Sequence, residues 1–199
     1  MNYNEIKSEI VSADKFEINL MELRARLGYD FSLSEVEPYI KQIKDCAIFK
    51  YAYRILPLTI ENSSVRIGET TVVSASLSKV LHGCRNVVLL AVTTGTGVDR
   101  AITRAHYKSS AEGFILDAVA SAYIESFADY VDDIISQGLD TTKRFSPGYS
   151  DFPLDYQVAL LEYLDAKKIG IDLTDKLLMV PTKSITAVLG VKSTERINL

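Results

Sequence analysis

Residues 86–107 read NVVLLAVTTGTGVDRAITRAHY, an apolar, β-branched run that gives way at Gly95, Thr96 and Gly97 to helical spacing. A strand running through a glycine-rich turn into a helix is how a dinucleotide-binding βαβ unit begins, with a pyrophosphate cradled at the helix N-terminus. The sixth position of GTGVDR works against that reading. It is Arg100, where close packing of helix on strand requires a small residue. The rest of the chain also lacks a regular alternation of strands and helices. Strand and helix signals come in irregular order, which points to an α+β fold with a mainly antiparallel, twisted sheet flanked by helices. On this reading Asp99 and Arg100 form a capping and ion-pair feature of the turn.

Working outward, residues 48–73 contain YAYRILPLTI and SSVRIGETTVV, β-branched and aromatic with turn punctuation, and are expected as strands. A short helix over 74–82 leads into the buried strand. Residues 3–28 carry helix-like spacing, with Leu20, Leu23 and Leu27 on one side and Gly28 at the end. Ser34, followed three residues later by Glu37, reads as a capping box opening a helix through Cys46, with Pro38 in its first turn. Downstream, 111–136 carries the strongest helical pattern and 153–166 the next. LLMVPTKSITAVLGV, 177–191, reads as two strands about a Pro-Thr-Lys bend. With no Pro- or Gly-rich linker, residues 1–199 are expected as one unit, of which 1–47 form a helical N-terminal extension.

Composition narrows the function. With 47% hydrophobic residues in 199, a sizeable core is affordable. A net charge of −4 disfavours a nucleic-acid binder, which displays a basic face. Two cysteines, Cys46 and Cys84, support neither a disulfide framework nor a multi-cysteine metal site. The first residues lack an apolar signal core, and VVLLAV is too short to span a bilayer, so a cytoplasmic protein with no membrane partner is expected.

The candidate site lies in RFSPGYSDFPLDYQ, 144–157. Pro147 fixes its φ and Gly148 permits a positive one, so the backbone should reverse and present bare N–H groups beside Tyr149. Arg144 offers a planar fork for a carboxylate. Upstream, Ala118, Ser121, Ala122 and Glu125 share one helix face. That stripe either lets a ligand or helix approach Glu125 closely, or is ordinary packing with Glu125 at the rim. Asp129, Asp132 and Asp133 read as a solvated acidic face rather than a metal site. His82 and His106 lie on separate helices without ligand spacing and are expected to be structural or exposed. The 11 tyrosines fit either an interface or amphipathic packing.

These residues resemble a known family. Arg144, Gly148 and Tyr149 match the Arg-x-x-x-Gly-Tyr motif of the reactivation domain of vitamin B12-dependent methionine synthase. YIESFADYV, 123–131, and LTDKLLMVPTKSITAVLG, 173–190, stand in the family's order around it. The likeness is to the short, free-standing relatives of that domain. It implies an α+β fold, S-adenosylmethionine as ligand, and action on cobalamin supplied by the cobalamin-binding domain of a separate synthase, with a flavodoxin-like electron donor. By resemblance, S-adenosylmethionine is held by Arg144, Glu125, Ser146, Gly148, Tyr149, Leu189 and Gly190, with Tyr149 also facing the corrin. Pro181 and Ser184 stand at matching positions. Leu189 and Gly190 replace the family's aromatic pair, leaving backbone contacts there, and the family's early-segment aspartate has no counterpart. No side chain acts as a catalytic acid or base. The rival reading is a corrinoid-protein-binding or reductive-activation module that delivers no methyl group, and a purely structural interaction protein is a third.

Overall fold

The computed structural model describes residues 5–193. At its centre β5 (Asn86–Thr93) pairs antiparallel with β2 (Phe49–Glu61) on one side and β9 (Ser184–Ser193) on the other. β2 is long enough, at 13 residues, to share its outer edge between two partners. β1 (Lys7–Val11) pairs with its first part, Phe49 to Tyr53, and β3 (Ser64–Ile67) with its last, Leu58 to Glu61. β4 (Thr70–Val73) flanks β3, and the short β6 (Asp140–Thr141) pairs with the end of β9. Every pairing in this sheet is antiparallel, as expected for the α+β class.

The apolar run of β5 is continuous because both its faces are covered. Val88, Leu90 and Val92 pack toward α1 (Leu20–Leu27), α2 (Leu33–Cys46), α4 (Thr96–Lys108) and the 27-residue α5 (Ser110–Ser136). Val87, Leu89 and Ala91 pack on the opposite face, with α3 (Ala75–Val80), α6 (Tyr156–Tyr163) and Phe152. Full burial of each such Val or Leu contributes roughly 1.5–3 kcal/mol, so this strand anchors both layers of the core to the sheet. The remaining two strands, β7 (Asp172–Leu173) and β8 (Met179–Val180), pair with each other apart from the main sheet.

The N-terminal region corrects two expectations. Lys7–Val11 is a strand, and only Leu20–Leu27 of the stretch 3–28 is α-helical; residues 3 and 4 lie outside the described residues. The apolar spacing that suggests helix there comes from Ile10 and Val11 on the edge strand and from a separate helix capped by Asn19, whose side chain accepts from the N–H groups of Met21 and Glu22. Gly28 does end that helix, at φ 75°. The next helix starts two residues earlier than its capping signal implies. Glu35, not Glu37, accepts from the N-cap backbone, here the N–H of Ser32 at 2.7 Å, so Pro38 sits in the second turn. Ser32 and Ser34 both satisfy the Ser-x-x-Glu spacing, and the sequence does not rank them.

Candidate functional site

The segment 142–157 starts at the β6 side of the sheet and crosses β9 to reach the face that α6 covers. Phe145 makes it part of the sheet, exchanging two backbone hydrogen bonds of 2.9 Å with Val188. Its ring stacks on buried Phe152 at 5.9 Å, and Phe152 meets Tyr156 at 5.2 Å. Between these anchors the backbone reverses at Pro147 and Gly148, and Gly148 has the expected positive φ, 89°. The expectation of bare N–H groups is corrected: Gly148 donates to Phe152 O at 2.8 Å and Tyr149 to Ser146 O at 3.2 Å. A turn tightened by two aromatic anchors satisfies its own donors. Asp151 adds a tie to α3, accepting from Ser74 Oγ, Ala75 N and Ser76 N at 2.7, 2.7 and 3.1 Å. These bonds, that from Ser74 first, hold its carboxyl down at about 2.

Between Phe145 and Ser184 no strand flanks β9 on the β6 side among the described residues, and a cleft of about 620 Å³ opens there. One wall is Glu125 of α5 with Arg144, Ser146, Pro147 and Tyr149; the other is Leu177, Leu178 and Met179; Thr182, Ser184, Ile185 and Thr186 form the floor with Gln157. The polar residues of the floor are tied into the fold by hydrogen bonds. Buried Gln157 accepts from Thr186 Oγ1 at 3.2 Å and donates to Leu177 O at 3.0 Å, joining α6, β9 and the 174–178 turn. The bend before β9 is held by Asp99, which accepts from Thr182 N and Oγ1 at 2.9 and 2.6 Å. Lys183 fixes it further through Asp117 and Ser121, each at 2.8 Å. Tyr149 stands at the mouth, 66% exposed.

Arg144 is four-fifths buried and surrounded by carboxylates. Its Nη2 lies 2.7 Å from Asp129 Oδ1 and 3.6 Å from Glu125 Oε2, and its Nη1 lies 3.3 Å from Asp132 Oδ2. The solvated acidic face is therefore corrected. Glu125, Asp129 and Asp132, spaced i, i+4 and i+7, converge on one guanidinium, while Asp133 stays exposed. Neither Arg144 Nη1 nor Asp132 Oδ1, both buried, has a hydrogen-bond partner. Burial pushes the Asp132 carboxyl up to about 6 against the pull of Arg144, with Asp129 and Asp133 adding to the rise. On its other side Glu125 meets Arg26 of α1 at 3.8 Å, and Arg26 is paired with Glu22 at 2.8 Å.

The structure thus brings Arg144, Glu125, Ser146 and Tyr149 to one cleft, with Gly148 setting the turn behind them. Leu189 and Gly190 do not line it. Leu189 points into the core beneath α5, and Gly190 lies against Leu81, Cys84 and Thr142, too tightly for a side chain. Both sit farther along β9 than the stretch 184–186 that borders the cleft. The helical stripe resolves toward packing: Ala118 and Ala122 are buried, and Ser121 accepts from Lys183. Asp99 holds a loop rather than a helix cap, and Arg100 donates to Thr96 Oγ1 rather than to a carboxylate. His82 and His106 are exposed. Sequence reasoning missed Gln157, Thr182, Arg26 and Asp151; none has a local signal, because each acts across more than 70 residues or through a buried contact. A second cleft of about 600 Å³, between β1 and α2, contains none of the motif residues.

An antiparallel sheet layered by helices, with a cleft between the edge of β9 and an arginine-bearing loop, places the chain in the α+β class. Within it the chain has the fold seen in the crystal structure of the MetH reactivation domain bound to AdoHcy. The TM-score is 0.71 at 14% identity, covering 98% of this chain and 81% of that one, and at this identity the likeness is one of fold. No protein-family model matches the chain, and no curated protein matches it.

Proposed function

We propose that this chain binds S-adenosylmethionine in the cleft beside β9 and supports reductive methylation of cob(II)alamin in a separate cobalamin-dependent methionine synthase. The observation that carries this reading is the convergence of Arg144, Glu125 and the Ser146–Tyr149 turn on one cleft. Its volume falls within the roughly 300–1,000 Å³ usual for small-molecule sites, and the similarly folded MetH domain is one bound to AdoHcy. Arg144 holds the methionine carboxylate, Glu125 serves polar groups of the ligand, and the 146–149 backbone meets the adenosine. Tyr149, at the mouth, faces the corrin. The protein contributes orientation, placing the sulfonium methyl where a nucleophile approaching from the mouth reaches it in line. Residues 1–199 carry no Asp-x-His-x-x-Gly signature of a cobalamin domain. On the proposed reading the corrin is held by a partner domain and the electron comes from a flavodoxin-like donor.

Calorimetry with S-adenosylmethionine tests the reading. Wild type binds, and Arg144→Ala weakens binding by roughly 2–4 kcal/mol, about 30- to 1000-fold, with the fold intact. Arg144→Lys recovers only part, since an ammonium does not reproduce the fork. Equal affinity of wild type and Arg144→Ala removes the arginine from the site. The engagement of Arg144 by three carboxylates of its own chain favours a second reading, a corrinoid-binding module without methyl delivery. Corrinoid-protein binding with no S-adenosylmethionine binding selects it.

A further inference from the structure

Arg144 meets carboxylates of its own chain at 2.7, 3.3 and 3.6 Å, an arrangement that leaves more negative than positive charge around the anchor. A ligand carboxylate arriving there is the fourth, and it has to displace at least one of the three or share the fork with them. Displacement is easiest for the pairs that lack hydrogen-bond geometry. Asp132 is such a pair: its Oδ2 is 3.3 Å from Nη1, yet Nη1 has no hydrogen-bond partner, and neither does the buried Oδ1. A carboxylate with one buried, unpartnered oxygen gains little as an anion once the guanidinium turns away, because burial penalises the charged form.

The geometry points to a proton-linked anchor, in which the ligand's carboxylate takes the place of Asp132 on Arg144 and Asp132 takes up a proton from solvent. The inference rests on the proposal that the ligand places its carboxylate on Arg144. The charged groups facing Asp132 are Arg144 from the loop after β6 and Asp129 and Asp133 from α5 itself, with Glu125 sharing the guanidinium. Losing Arg144 and gaining a nearby anion both act in the same direction, raising a carboxyl that already stands at about 6. Charge is conserved across the exchange: one carboxylate enters the pair with Arg144, and one is neutralised by the proton. By linkage, affinity is highest below the free-state value and falls as the pH rises through it.

The test is calorimetry of S-adenosylmethionine binding between pH 5 and 7, where the ligand's amino group stays protonated, in two buffers of different ionisation heat. Wild type takes up about 0.3–0.5 proton per ligand near pH 6, and its affinity falls about five- to tenfold from pH 5 to pH 7. Asp132→Asn, nearly isosteric, binds with no proton uptake and a flat pH profile, and decarboxylated S-adenosylmethionine binds wild type with no uptake. Binding by wild type without proton uptake, or uptake that persists in Asp132→Asn, overturns this inference and leaves the ligand assignment standing. Absence of binding at every pH overturns both.

Discussion

Asp132 costs the folded protein something when ionised. Its carboxyl stands at about 6 against an ordinary 3.8, so the folded state holds the proton more tightly than the unfolded chain. For a group raised on folding, the favourable contribution is complete below the unfolded value and is lost as pH climbs through the folded one, here between about pH 4 and 6. Two units correspond to roughly 3 kcal/mol, and the side chain is only 24% exposed, so most of that survives solvent screening. Urea unfolding at pH 4 and pH 7 should show wild type losing roughly 1–3 kcal/mol relative to Asp132→Asn across that interval; parallel behaviour of the two proteins would refute the burial argument. Gly148 offers a second single-residue test. At φ 89°, with an added Cβ 3.3 Å from Leu154 Cδ1, alanine strains the turn by about 1–2 kcal/mol, read as a lower urea midpoint. Unchanged stability in Gly148→Ala would mean that the turn adapts. At this scale the sequence reveals Arg144, Gly148 and Tyr149, because a turn and a fork are local chemistry. It conceals Asp129 and Asp132, whose shared helix face can be read from spacing but whose counterion arrives from beyond β6.

The elements around the cleft are rigid where they touch it. The bend 181–184 is held to α4 by Asp99 and to α5 by Lys183, and Ser184 Oγ adds bonds to Thr93 Oγ1 and Pro181 O at 2.9 and 2.8 Å. Asp99 is only partly buried and belongs to neither apolar core, so its removal should spare stability while loosening Thr182 on the cleft floor. Asp99→Ala is expected to weaken S-adenosylmethionine binding by about 1 kcal/mol, roughly fivefold, with an unfolding midpoint near that of wild type. A large stability loss with unaltered affinity would assign Asp99 to the fold instead. The long helix α5 is legible in sequence because its periodicity runs far enough to exclude alternatives, and the strand β5 because its short β-branched apolar run ends at the glycine turn 95–97. The strand Lys7–Val11 is not. Five mostly exposed residues on a sheet edge carry no alternation, and only the partner Phe49–Tyr53 makes them β.

Across the whole molecule, the sheet has two buried faces, and the cleft opens at the edge of β9 between Phe145 and Ser184. Its surroundings carry exposed apolar side chains, Tyr149, Leu154, Leu178 and Val180 among them, while no helix of the described residues is long and apolar enough to cross a membrane. On the proposed function this mouth offers the methyl group to a corrin nucleophile held by a cobalamin-loaded partner. Mixed with a cob(II)alamin-loaded synthase, a low-potential reductant and S-adenosylmethionine labelled in its methyl group, the protein should restore the methylcobalamin absorption spectrum. Label should appear on cobalt in wild type and not in Arg144→Ala. Replacing exposed Tyr149 by Ala should lower the rate of transfer more than it lowers affinity for S-adenosylmethionine, because that ring is assigned to the corrin side of the complex. Consumption of cob(II)alamin at the same rate without S-adenosylmethionine, and without label transfer, rejects methyl delivery and leaves corrinoid binding as the function of this cleft.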